Sequence, residues 1–286
     1  MLNALLGIII ISVITALIGT YIVTRRMLFI SGGITHACFG GLGLGYYLGV
    51  SPVAMAGLFA VGGSLTVDWL SRRRVRRDSA IAVVWALGMS LGILFIFLTS
   101  GYVPELNSFL FGNVLTISGT DNAIFAGFTA LIALFYLLFY RRIVAVSFDE
   151  DFARTRGLPV AFINMMMTVF TAIAIVLTIR MIGIMLLMSL LALPQMTAEI
   201  FTRRYLPLMC ASGVIALLGG AGGLAIAWFI SVPASAAIVL LLTLFYIVGK
   251  RRDSAVAHFI LYCGLGHRKP GETFQQGVGN MSITCR

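Results

Sequence analysis

The chain has 286 residues, of which 60% are hydrophobic and only 10% charged, whereas soluble domains carry about a quarter charged, so a soluble globule is excluded. The formal net charge of +10, from 20 Lys and Arg against 10 Asp and Glu, is gathered in clusters between apolar runs, which points to the cytoplasmic lipid face and not to nucleic acid. The four cysteines, Cys38, Cys210, Cys263 and Cys285, show no paired spacing and give no disulfide framework.

Asn3 to Val23 is long and apolar enough to span a bilayer, and it starts without the basic region of a cleavable signal. Arg25 and Arg26 follow, so the positive-inside rule places the amino terminus outside and the first loop in the cytoplasm. The second span, Phe29 to Gly49, holds His36, with Gly32 and Gly40 one helical turn to either side. On a helix the imidazole therefore sits on a stripe stripped of neighbouring side chains. An ionisable group at membrane depth is costly unless it faces the bundle interior or a wet cavity, where it marks a substrate or ion path. The competing reading is a histidine hydrogen-bonded across a helix contact. Gly41, Gly45 and Gly49 have small-xxx-small spacing, which lets another helix backbone approach closely.

Pro52 to Leu70 returns inward and ends on Arg72, Arg73, Arg74, Arg76 and Arg77, a cytoplasmic anchor beside anionic lipid. Ser79 to Thr99 goes out again. A loop with Pro104 and Glu105 follows, then Ser108 to Ser118, too short to span and expected as an interfacial or re-entrant element. Asp121 opens the next span, which ends at Tyr140 before Arg141 and Arg142.

The segment SFDEDFARTRGLPV, Ser147 to Val160, places Asp149, Glu150 and Asp151 in the first turn of a short helix and Arg154 and Arg156 in its last. The helix dipole favours that order, with Gly157 terminating and Pro159 beyond. It reads as a capped cytoplasmic helix with Phe148, Phe152 and Leu158 as apolar anchors, suited to docking a soluble partner. The remaining spans are Ala161 to Ile179, Ile182 to Phe201, Pro207 to Phe229 and Pro233 to Gly249. Pro194 is placed to kink the seventh, and Gly219, Gly220, Gly222 and Gly223 permit tight contact or unwinding in the eighth. From Asp253 onward turn residues dominate, and Cys263, His267 and Cys285 are too few for a convincing metal site.

These elements predict an all-α fold, a polytopic transmembrane helical bundle of about nine spans, or eight, with a short cytoplasmic coupling helix. Residues 1–252 form the membrane domain and 253–286 a poorly ordered cytoplasmic tail. The sequence holds no H-E-x-x-H, no G-x-S-x-G, no phosphate-binding G-x-x-x-x-G-K-S/T and no carboxylate pair buried in one span. An enzyme is not expected. If nucleotide drives this protein, another chain hydrolyses it.

The run RRMLFISGGITHACFGGLGLGYYLGV resembles the second-span signature of the zinc/manganese-type permeases of ATP-binding-cassette importers, usually G-D-A-I/L-S-H-A followed by glycines. FLFGNVL from Phe109 to Leu115, FDEDFARTRGLPV, and IGIMLLMSLLALPQMTA resemble three further family elements in the same order, so the likeness extends from about Leu2 to Arg252. Two departures stand out. Gly32 occupies the place of an Asp one turn before the histidine, and Gln195 and Met196 alter the family's P-A-A-T-A.

The resemblance implies a permease homodimer in the bacterial cytoplasmic membrane working by alternating access. An extracytoplasmic metal-binding receptor would deliver the ion, and separate ATPase subunits would dock on Asp149, Glu150, Asp151, Phe152, Ala153, Arg156 and Gly157. His36 is the expected transient metal ligand, with Glu105, Asn113 or Asp121 restoring an oxygen ligand and no cofactor bound permanently. Loss of the hard carboxylate leans towards Zn, with Mn or Fe as alternatives. Rival readings are a permease for metal chelates, a secondary transporter driven by an ion gradient, and an assembly subunit without transport of its own.

Overall fold

The computed structural model describes residues 2–73, 75–99, 112 and 117–265, with the side chains of Leu2, Arg72 and residues 252–265 set aside. The described residues contain helices and no strand. They are α1 (Leu2–Ile14), a π-helical turn (Thr15–Gly19), α2 (Thr20–Thr24), α3 (Leu28–Leu48), α4 (Pro52–Arg72), α5 (Arg77–Leu98), α6 (Gly119–Phe148), α7 (Glu150–Thr155), α8 (Val160–Phe201), α9 (Tyr205–Ile230) and α10 (Ala234–Leu265). Eight stretches are long and apolar enough to cross a membrane. The apolar windows of the first two are 78% buried inside the protein, against 17% for α6. The amino-terminal spans are therefore the centre of the bundle and α6 lines its periphery, where lipid replaces protein as the apolar surround.

The α8 stretch of 42 residues would extend about 63 Å if straight, twice the roughly 30 Å of hydrocarbon it has to cross. It does not run straight. Near its start Tyr21 donates to Asn164 Oδ1 at 3.2 Å. Further on, Arg180 pairs with Asp121 at 3.2 Å, and Met181 lies beside Gly7 at the far end of α1. Gln195 then returns to the middle of the first span, donating to the Thr15 carbonyl at 2.8 Å. The chain thus reverses at Gly183, whose φ of 78° and ψ of 170° no other residue type adopts at low cost. The sixth and seventh spans form a hairpin with a single-residue turn, which divides the longest of the eight apolar stretches among the described residues in two.

That same Gln195 accounts for the π-helical turn in the first span. Its side chain occupies the space next to Gly19, and its amide satisfies a carbonyl that the widened turn releases. The re-entrant element lies mostly outside the described residues; its Gly112, at φ 63°, lies with its backbone against Ile182 and Gly183. At the carboxyl end α10 continues in its backbone past Arg252 to Leu265. His267, Cys285 and the Cys263 side chain lie outside the described residues.

Basic residues gather at one end. Arg25, Arg26, Arg77 and Arg203 line one cleft of about 880 Å³ together with Glu150 and Glu199. The first loop, the α4–α5 loop and the α8–α9 loop therefore share a face, as the positive-inside reading requires.

Candidate functional site

The second span is built for close approach. A Cβ on Gly40 would lie 2.8 Å from the Gly88 carbonyl oxygen, one on Gly43 2.6 Å from that of Gly92, and one on Gly88 2.5 Å from Ala37 Cα. The glycines of α3 and α5 are thus reciprocal, each leaving room for the other's backbone. On the other side Gly41 and Gly45 admit the backbone of Met55 and Pro52 at the start of α4. Gly49 does not share in this packing. It has nothing within 4 Å and ends α3 in the left-handed conformation at φ 65°, the usual use of glycine at a helix C-terminus.

His36 lies where α3 and α5 meet. Its imidazole stacks on the Trp85 indole with ring centroids 4.4 Å apart and planes within 9°. Its Nδ1 is 3.3 Å from Met89 Sδ. Trp85 and Met89 are one turn apart on α5, so one helix face supplies both contacts. The ring is half-buried and Trp85 is 36% exposed, so the chain itself leaves one side of the pair uncovered. The stripe is less bare than the sequence implies. The Met188 methyl lies 2.7 Å from where a Cβ of residue 32 would stand, and Phe59 lines the Gly40 side.

Of the oxygen ligands expected beside His36, Asp121 lies among the described residues, and its carboxylate has partners of its own. Asp121 Oδ1 pairs with Arg180 at 3.2 Å. Its Oδ2 accepts from the Ser118 amide at 3.4 Å while the Asp121 amide donates back to Ser118 Oγ at 3.1 Å, a capping box for α6, and the same Oδ2 accepts from the Ser118 hydroxyl at 2.8 Å. Glu105 and Asn113 lie outside the described residues. Cys38 is buried on an unbroken helix, two positions from His36, and so about 200° round the axis from it. Among the described residues no three His, Cys, Asp or Glu side chains gather as a metal cage.

The second candidate region is α7, where the expected capped helix is present. Asp149 is the N-cap, its Oδ1 accepting from the Phe152 amide at 2.9 Å, while Arg156 is the C-cap and Gly157, at φ 71°, leaves the helix. Glu150 turns inward, bonded to Arg25 at 2.9 Å and to Arg154 at 2.7 Å. Burial alone would raise its carboxyl, but the two guanidinium groups outweigh it and hold the group below the usual carboxylate range. Arg25 also donates to the Val146 carbonyl at 2.9 Å, so one side chain ties the end of the first span to the end of α6 and to α7. Ala153 is fully buried, whereas Phe148 and Phe152 are exposed at 60% and 52%. These two apolar anchors are therefore outward-facing, with Arg156 over the Phe152 ring at 5.1 Å.

Sequence reading missed Trp85, Met89 and Arg25 as partners, and Gln195 as a cross-bundle amide. Trp85 and Met89 carry an i, i+4 signal, but in an apolar helix it is indistinguishable from ordinary packing. A glutamine inside an apolar run was the visible sign of the other.

A family model described as the ABC 3 transport family matches residues 1–251. An uncharacterized membrane protein of Synechocystis is 34% identical over 87% of this chain and 89% of its own length. The manganese transport system membrane protein MntC of Halalkalibacterium halodurans is 30% identical over 83% of this chain and 82% of its own. Among solved structures, PsaBC from Streptococcus pneumoniae in complex with Fab aligns with a TM-score of 0.77 at 26% identity, covering 86% of this chain and 89% of that one.

Proposed function

The chain belongs to the ABC 3 transport family, and from that premise we propose that it is the permease subunit of an ATP-driven importer of divalent transition-metal ions, working by alternating access. ATP hydrolysis belongs to a separate subunit. The observation that carries the reading is the placement of His36, a half-buried imidazole on a glycine-locked helix pair with one side open to the flank of the chain. An imidazole there meets a cation in passage without a cage to trap it, and weak, incomplete ligation suits release.

The flank bearing His36 would be the seam with a second copy, and an extracytoplasmic receptor would deliver the ion to the end opposite the arginines. That arginine-rich end is the cytoplasmic side by the positive-inside rule. There α7 offers outward Phe152 and Asp151 to the ATPase, beside Phe148 at the end of α6, while Glu150 and Arg25 connect α7 to the first span. The name of the MntC relative supports manganese; the absence of a carboxylate at position 32 supports zinc.

The test is uptake of radiolabelled zinc and manganese into proteoliposomes carrying the assembled transporter. His36→Ala should lower uptake about tenfold or more, the loss typical of removing a group that tunes a metal site, while the ATPase still copurifies. Unchanged uptake of both ions would remove His36 from the path.

A further inference from the structure

Resting on the reading of His36 as a cargo ligand, we propose that Met89 is its partner ligand and that the pair selects a cation tolerant of sulfur, of the closed-shell d10 class to which Zn²⁺ belongs, against manganese. Nδ1 and Sδ lie 3.3 Å apart. With a metal–nitrogen bond of about 2.05 Å and a metal–sulfur bond no shorter than the thiolate value of about 2.3 Å, one ion touching both atoms would subtend roughly 90–100° between them, within reach of a distorted tetrahedral site. No backbone movement is needed to bring both donors onto one ion.

The surroundings agree with that class. Trp85, stacked nearly parallel on the imidazole, fixes the ring plane so that Nδ1 faces the thioether, the orienting role that outer groups play at metal sites. The position one turn before His36, where a carboxylate would deliver a hard oxygen, is Gly32, and the space a side chain would take there is held by the Met188 methyl and bounded by Trp85. The donors at the ring are thus an imidazole nitrogen and a thioether sulfur, with the indole as an apolar wall that supplies no ligand atom. Manganese prefers carboxylate, carbonyl and water, whereas sulfur and imidazole suit zinc and the softer late metals. In the tautomer with its proton on Nε2, the Nδ1 lone pair and the Met89 sulfur would be a pair of donors aimed at one point.

The experiment uses the full-length permease in nanodiscs with Trp85 as its sole tryptophan, through Trp69→Phe and Trp228→Phe, both replaced residues being exposed. Zinc, silver(I) as a redox-inert soft probe, and manganese are titrated against Trp85 fluorescence. Zinc and silver should give saturable changes that manganese does not. Met89→Leu, which keeps volume but removes the donor, should weaken zinc and silver about tenfold or more, and Met89→Asp should shift the preference towards manganese. Equal affinities in wild type and Met89→Leu, or manganese binding as tightly as zinc, overturn the proposal. Loss of zinc uptake in His36→Ala with full uptake in Met89→Leu sinks the pairing and leaves the metal-importer reading standing. Unchanged uptake in both variants sinks both.

Discussion

The His36 neighbourhood and the α7 end are held by opposite means. At His36, α3 and α5 meet glycine to backbone and the polar group is flanked by sulfur and an aromatic ring. At α7, the elements are joined by Arg25, Glu150 and Arg154 through charge-assisted hydrogen bonds across clefts wide enough for water. Backbone-to-backbone packing has almost no slack, because nothing flexible lies at the contact. Ion pairs beside water can lengthen, exchange partners and re-form. The first region therefore keeps a donor pair in register while the second yields, which is what a transporter driven from one end requires.

The sharpest way to break this contrast is to add side chains where the helices touch. Gly88→Leu places a Cβ 2.5 Å from Ala37 Cα and 2.9 Å from the His36 carbonyl oxygen, and no rotamer removes a clash with backbone. We expect a loss of at least about 1–3 kcal/mol, seen as a lower melting temperature in detergent, and abolished uptake. Gly57→Leu and Gly62→Leu are the controls, since nothing lies within 4 Å of either, and both should retain wild-type yield. Equal damage from all three substitutions would show that α3 and α5 are not specially locked.

The charged end should respond more mildly and in a pH-dependent way. Glu150→Gln removes the charge shared by Arg25 and Arg154 and leaves one acceptor oxygen for the two, and should cost about 1.5–3 kcal/mol, the range for hydrogen bonds to charged groups. ATP hydrolysis should continue with reduced uptake, because α7 is then no longer tied to the first span. Since the folded carboxyl is held below its unfolded value, its contribution is complete above the ordinary carboxylate range and is lost as pH falls through the depressed value. A stability difference between wild type and Glu150→Gln that persists unchanged into that acidic range would contradict the pairing. Asp151→Asn is the comparison: the residue is exposed, so it should leave stability unmoved. Reversing Asp149, Glu150 and Asp151 together would confound a cap, a clamp and a surface charge.

The same contrast explains what was legible in the sequence. Spans, their ends and the α7 helix follow from run length and charge order, which are local. The hairpin was anticipated as two spans around Arg180, although the turn itself is Gly183 alone. The π-helical turn was invisible, because its cause, Gln195, acts on Thr15 across 180 residues of chain. Likewise nothing near His36 in sequence announces Met89, 53 residues on. At Asp121 the sequence leaves two roles open for the converse reason: a carboxylate at the mouth of a span reads equally as a cation ligand or as a helix cap, and its partners Ser118 and Arg180 are visible only in the fold.

The smallest expected effect settles that last ambiguity. Arg180 is 51% exposed and its pair with Asp121 lies at 3.2 Å, so breaking it should cost no more than about 1 kcal/mol. Arg180→Gln removes the ion pair but keeps the carboxylate, whereas Asp121→Asn removes the charge while its amide oxygen still serves the capping box with Ser118. If Asp121 only ties the hairpin turn to the start of α6, both variants should lose similar small stability in thermal denaturation and retain full zinc uptake. If it also meets the ion on entry, uptake falls in Asp121→Asn alone, since freeing the carboxylate from Arg180 would leave a cation more attracted, not less. The two variants thus separate a structural carboxylate from an entry ligand without disturbing the donors at His36.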